Sequence, residues 1–169
     1  DKNPDTYIFN MYQAGLGLPD RDYYLGDSER FQDIRTKYVA HLTKMFELAG
    51  EANAAARAQA VFDLEKKIAE VHWNKEDSSD ATKTYNKMSV ADLQAMAPGL
   101  DLAAMLQKTS PKIQELIVAQ PSAVQGIARI IGDADMSVLK DQLMIRSLDN
   151  LSDVLPEAIA NESFDFYGT

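Results

Sequence analysis

The segment Leu16-Gly17-Leu18-Pro19-Asp20-Arg21-Asp22-Tyr23-Tyr24 most restricts how this chain can fold. Gly17 and Pro19 interrupt regular structure, while Tyr23 and Tyr24 carry large rings that need burial. A loop that runs into two aromatic anchors is a fixed, packed connection, so the flanking chain must supply a body for it to pack on. With 169 residues, 46% of them hydrophobic and 25% charged, the chain can bury a sizeable core and reads as a single helical domain over 1–169.

Apolar spacing supplies that body. Residues 1–27 read as irregular, because Pro4, Gly15, Gly17, Pro19 and Gly26 recur too often for a long helix. Asp27 or Ser28 then caps a helix in which Phe31, Ile34, Tyr38, Leu42, Met45 and Leu48 step by three and four, with Gly50 at its end. Residues 53–74 continue the pattern through Val61, Leu64, Ile68 and Val71 or His72, after an alanine-rich start of high helix propensity. The short connection between the two predicts an antiparallel αα-hairpin. Glu76 to Asp80 is expected to be a polar loop. Ser89 and Asp92 form a capping box for a short helix ending at Pro98-Gly99, and Asp101 caps another through Gln107.

Ile113 to Val118, set between Pro111 and Pro121, is the one convincing strand. Ser122 opens a helix that reaches Gly132. Ser137 opens the last long helix, with Leu139, Leu143, Leu148, Leu151 and Leu155 as expected core contacts. Pro156 kinks or restarts it, and Phe164, Phe166 and Tyr167 make an aromatic end. The fold class is therefore mainly α: a helical bundle-like domain with αα-hairpins and at most a minor strand pair.

Charge narrows the partners. Seventeen basic and 26 acidic residues leave a formal charge of −9, the opposite of what a phosphate backbone or an anionic membrane attracts. No apolar run approaches the length of a membrane span. There is no cysteine, hence no disulfide framework and no thiolate metal site. The chain starts at Asp1, without methionine or an apolar signal segment, as either a processed product or an excised segment would.

Chemistry-bearing patterns are sparse. A helical zinc hydrolase site needs two histidines four residues apart with a glutamate between them, and a third ligand elsewhere. The two histidines here, His41 and His72, have no second histidine one turn away. His41 lies beside an apolar stripe and His72 precedes Trp73, so both are expected to be buried or interfacial rather than ligands. Glu76, Asp77 and Asp80 fail the calcium-loop pattern, which needs a central glycine and a terminal glutamate, and read as a solvated, helix-ending loop. No nucleophile elbow or glycine-rich phosphate loop occurs. Asn150-Leu151-Ser152 and Asn161-Glu162-Ser163 match the glycosylation triplet, the first inside an expected helix. The seven methionines are expected to fill gaps in the core. No catalytic, cofactor-binding or metal-binding residue is assigned.

Five segments nevertheless occur in a familiar order: Leu16 to Tyr24, Val61-Phe62-Asp63-Leu64-Glu65-Lys66-Lys67-Ile68-Ala69, Tyr85-Asn86-Lys87-Met88-Ser89, Val138-Leu139-Lys140-Asp141-Gln142-Leu143, and Phe164-Asp165-Phe166-Tyr167-Gly168. Together they resemble the neprilysin-like zinc metallopeptidases, the family of neprilysin, endothelin-converting enzyme and bacterial oligopeptidase O. The forms Ala69-Glu70-Val71-His72-Trp73 and Asp80 with Lys83-Thr84-Tyr85-Asn86 look most like the bacterial branch.

The resemblance implies a fragment of the N-terminal half of such an enzyme. That half is a mostly helical lid facing the catalytic domain across a closed cavity that admits peptides. It implies zinc in the parent but none in this chain, with the H-E-x-x-H helix, the third zinc ligand and the substrate-binding Asn-Ala segment all beyond Thr169, and with Asp1 an interior position. The partners implied are the C-terminal catalytic domain of the same parent and peptide substrates, in a periplasmic or extracellular setting. The alternative is an independent helical protein-interaction domain without catalysis. An H-E-x-x-H motif in the parent gene discriminates the two.

If Tyr23 and Tyr24 anchor the first loop, truncating both to alanine should lower stability by several kcal/mol, on the scale of large-to-small core changes. Urea denaturation measures this, and an unchanged midpoint would contradict the packed-loop reading.

Overall fold

A computed structural model describes residues 7–168 of the chain. In chain order the elements are β1 (Phe9–Met11), α1 (Arg21–Leu25), α2 (Glu29–Leu48), α3 (Ala54–Val71), α4 (Lys75–Ser79), β2 (Lys87–Ser89), α5 (Val90–Met96), α6 (Leu102–Thr109), β3 (Glu115–Val118), α7 (Pro121–Asp133), α8 (Met136–Asn150) and α9 (Glu157–Tyr167), with a 3-10 turn at Ser152–Val154. The fold is mainly α with one small sheet. The stretch read as irregular contains β1 and α1. Pro4, part of that reading, lies outside the described residues.

The chain divides into two compact units. One runs from Leu16 to Glu70 and resumes at Ala134. Its long helices form where the apolar spacing places them. Ser28 Oγ accepts from the Phe31 N–H at 3.3 Å and starts α2. Gly50 stops it with φ of 76°, a left-handed conformation open to glycine. The Gly50 N–H then reaches the Glu47 carbonyl and the Glu51 N–H reaches the Phe46 carbonyl, closing the exposed end of the helix. From α2, Tyr38, Leu42, Met45 and Phe46 are fully buried against Ala58, Val61 and Phe62 of α3, Ile145 of α8 and Ile159 of α9. Burying a side chain of that size stabilises by roughly 1.5–3 kcal/mol. Pro156 restarts the chain as the N-cap of α9.

The other unit comprises residues up to Gly15 together with Val71–Asp133. Its sheet has the order β1-β3-β2, with β1 parallel and β2 antiparallel to β3. The register pairs Phe9 with Leu116 and Met11 with Val118 on one side, and Lys87 with Ile117 on the other. The central strand is buried at Leu116, Ile117 and Val118. Burial on both faces gives a continuous apolar run that a sequence displays openly. The edge strands keep only a few half-buried positions and carry no such run. Leu93 and Ala97 of the α5 region, Leu102 and Leu106 of α6, and Val124 and Ala128 of α7 complete this unit's core with Leu116 and Val118. The capping box is present at α5, where Ser89 Oγ accepts from the Asp92 N–H at 3.1 Å, and Asp101 caps α6.

Three expectations need correction. Glu76 to Asp80 is not a plain loop: Asn74 caps α4, Asp77 pairs with Lys83, and Asp80 turns the chain by accepting from the Thr82 N–H at 2.8 Å. Leu143 and Leu151 are 69% and 53% exposed, because α8 turns a different face inward. That face carries Asp141, Ile145 and the half-buried Gln142 and Arg146, whose polar ends have partners. Met105 and Met136 are exposed, so not every methionine fills the core.

The α8 register makes a sharp contrast. Ile145→Ala should destabilise by about 2–5 kcal/mol, whereas Leu143→Ala should stay within about 0.5 kcal/mol. Chemical denaturation of the two variants checks this, and equal losses would reverse the assignment of faces.

Candidate functional site

The most polar buried cluster surrounds Glu65 of α3, which is 0% exposed. Its Oε2 accepts from the Tyr24 hydroxyl at 2.7 Å, from the Tyr38 hydroxyl at 2.9 Å and from the Gly17 N–H at 3.3 Å. Its Oε1 accepts from Arg146 Nη2 at 2.5 Å and, at 3.4 Å, from Gln142 Nε2. Arg146 Nη2 also donates to the Tyr38 hydroxyl at 2.6 Å. The Tyr24 hydroxyl accepts in turn from the Gly17 and Leu18 N–H groups, each at 3.0 Å. The Gly-Leu-Pro segment is thus tied by its backbone to a carboxylate inside the helical core. A Cβ at Gly17 would collide with the Arg146 guanidinium and the Tyr38 hydroxyl, so a larger residue there would have to push both away from their places beside Glu65.

Electrostatics follow from this geometry. Burial pushes the Tyr24 and Tyr38 hydroxyls well above the ordinary tyrosine range, and the Glu65 charge adds to the push. Burial alone would weaken the Arg146 charge, but Glu65 outweighs it and holds the guanidinium above its usual range. Both Glu65 oxygens and both tyrosine hydroxyls have partners in this cluster, while the buried Arg146 Nε has none.

A second cluster surrounds His41 of α2, 2% exposed. Its Nδ1 lies 3.0 Å from Glu162 Oε1 of α9, and its Nε2 lies 3.2 Å from Asp149 Oδ1 of α8. The ring stacks on Phe166 at 4.6 Å between centroids and 11° between planes. His41, Glu162 and Phe166 also line a groove of about 950 Å³ with Leu18, Tyr23 and Ile34. In the other unit, His72 is 8% exposed and its Nε2 lies 3.1 Å from the Ala14 carbonyl. Beside it, Gln13 pairs with the Trp73 backbone at 2.8 and 3.1 Å.

Both histidines are therefore buried, as their helical settings suggest. The partners that organise them were not singled out from sequence. Glu65 had a readable signal: a carboxylate at core spacing inside the apolar stripe of Val61, Leu64 and Ile68 has to find partners. Arg146, Asp149 and Glu162 had none, since exposed helix faces carry the same residue types. Asn150 ends α8 and Asn161 lies on α9, both exposed, while Ser152 and Ser163 of the two triplets are buried.

A zinc ion requires donors that converge on one point. His41, Asp149 and Glu162 include suitable donor types, but the two carboxylates face opposite ring nitrogens and so diverge. Among the described residues no group of three histidines, cysteines or carboxylates is arranged to hold a metal ion. The residues present do not fit a zinc centre. No helix among the described residues is long and apolar enough to cross a membrane.

Comparison with known proteins gives one consistent family. The N-terminal sequence model of Peptidase family M13 matches residues 1–169. Endothelin-converting enzyme-like 1 of Mus musculus is 26% identical over 161 residues, covering 92% of this chain and 21% of that protein. Endothelin-converting enzyme 1 of Homo sapiens is 26% identical over 180 residues, covering 99% of this chain and 23% of that protein. The Mycobacterium tuberculosis zinc metalloprotease Zmp1 in its open state superposes with a TM-score of 0.87 at 28% identity, covering 94% of this chain and 25% of that one. Its partial open state gives 0.82, covering 99% and 26%. The chain spans about a quarter of the length of these relatives.

The Glu65 cluster yields two expectations. Glu65→Ala strands two tyrosine hydroxyls and the Arg146 charge and should cost about 3–5 kcal/mol, while Tyr24→Phe, which strands the Leu18 N–H, should cost about 1–3 kcal/mol. Urea midpoints rank them, and near-wild-type values would show that the network is dispensable. Because the folded state favours neutral Tyr24 and Tyr38, their contribution is intact below the ordinary tyrosine value of about 10 and is lost as pH rises above it. Alkaline unfolding followed by tyrosinate absorbance should show these hydroxyls ionising together with loss of helix. Ionisation well before unfolding would contradict the burial argument.

Proposed function

Because this chain belongs to peptidase family M13, as part of its N-terminal region, we propose that it is the non-catalytic helical lid of a bacterial zinc metalloendopeptidase. In this reading the lid encloses the peptide-binding cavity, and residues outside the chain hold the zinc and perform hydrolysis. The match over residues 1–169, in a chain only about a quarter as long as its relatives, carries the proposal. The lid acts by shape: buried networks such as that of Glu65 keep it rigid, and an enclosed cavity excludes folded proteins.

Several large apolar side chains also stand exposed, among them Leu143, Val154 and Phe164 in one unit and Tyr7 and Tyr12 in the other. In the full-length enzyme such residues are expected to meet the remainder of the parent.

The test is a peptidase assay with parallel metal analysis on the purified chain and on the full-length protein. The full-length protein should carry zinc and cleave peptides, but not folded proteins, in a chelator-sensitive manner. The chain should do neither. Chelator-sensitive cleavage by the chain, rising with stoichiometric zinc, would overturn the assignment.

A further inference from the structure

Both ring nitrogens of His41 face carboxylate oxygens, Glu162 Oε1 at 3.0 Å and Asp149 Oδ1 at 3.2 Å. A carboxylate only accepts, and a neutral imidazole has one N–H. Both contacts are hydrogen bonds only when both nitrogens carry a proton. In the neutral ring, one lone pair points at a carboxylate oxygen. Stacking on Phe166 and an edge contact with Tyr167, at 5.4 Å between centroids, hold the ring in its plane. The two carboxylates come from different helices, Asp149 from α8 and Glu162 from α9, so a proton on His41 connects α2 to both at once.

We propose that His41 is a pH-sensitive latch: doubly protonated, it fastens α9 to α2 and α8, and on losing a proton it loosens α9.

The surrounding groups decide which side yields. From α8, Asp149 keeps other partners in either state, because its Oδ2 accepts from the Tyr167 hydroxyl at 3.2 Å and lies 4.0 Å from Arg146 Nη1. Arg146 is itself committed to Glu65 and Tyr38. From α9, Glu162 is 22% exposed at its side chain, so it can turn towards water. Asp165 and Tyr167 line the same groove. From α2, Lys37 and Lys44 line it too, each paired on its own helix, with Asp33 at 2.8 Å and Glu47 at 3.5 Å. The Gly17-Leu18-Pro19 segment brings no titratable side chain. A neutral His41 therefore keeps its N–H for Asp149, whose side chain is 8% exposed, and gives up Glu162. The latch closes at low pH, where both ring nitrogens carry a proton, and opens as rising pH removes one of them. Since α9 supplies Phe166 and Tyr167 to the groove wall, the groove changes with it.

The experiment is nitrogen-15 NMR of the His41 ring, together with amide hydrogen exchange, on this chain across the histidine range. While both ring nitrogens are protonated, α9 amides should be protected. As the ring deprotonates, α9 exchange should rise by about tenfold relative to α3, after correction for the intrinsic effect of pH. Glu162→Gln, which can donate to a neutral ring, should abolish that pH dependence while leaving α9 docked. His41→Gln, a second variant in case the first fails to fold, should also flatten it. A constant ratio of α9 to α3 exchange across the His41 titration would overturn the proposal. So would an unchanged pH dependence in either variant.

Discussion

A single carboxylate inside a helical core sets the terms for one half of this chain. Glu65 is fully buried, and a charge in that position is tolerable only when its acceptor sites are filled. The partners come from far apart in sequence: Tyr24 and the Gly17 N–H from the first loop, Tyr38 from α2, Arg146 from α8. Meeting that demand brings the loop, α2, α3 and α8 together in one arrangement. A purely apolar core of the same volume could slip by a turn or swap neighbours. This core cannot do so without stranding a charge.

The same logic recurs at smaller scale. Arg57 of α3 holds Asp141 of α8 through two hydrogen bonds, at 3.0 and 2.6 Å, and lies over the Phe46 ring of α2. His41 ties α2 to α8 and α9. Polar pairs thus decide which face of α8 points inward. They also explain why its apolar periodicity misleads: Leu143 and Leu151 look like core positions, yet Asp141 and Arg146 occupy the inner face. Much of the rest was legible. The α2 stripe, the caps at Ser28, Ser89 and Asp101, the restart at Pro156 and the buried strand β3 all rest on local chemistry that needs no distant partner. The edge strands and the short helices α1 and α4 were not legible, because three to five residues carry too little pattern. Glu65 stood in plain view within its stripe, whereas its partners are defined only by the fold.

Membership of peptidase family M13 gives this rigidity a setting. In the proposed role of a lid, the chain has to hold its form without help from a metal or a substrate, and the buried networks are the interactions that resist its deformation. The aromatic anchors Tyr23 and Tyr24, first read as a packing signal, serve two purposes. Tyr23 meets the Phe31 ring at 5.2 Å, while Tyr24 carries the hydroxyl that joins loop and carboxylate.

The most direct measurement of this account is amide hydrogen exchange at Gly17 and Leu18. Both lie in a glycine- and proline-broken connection that would ordinarily exchange fast, yet both donate into the Glu65 and Tyr24 cluster. The account predicts protection approaching that of the α3 core amides around Ile68, lost together with them on global unfolding. Exchange within about tenfold of an unstructured peptide, while α3 stays protected, would contradict it.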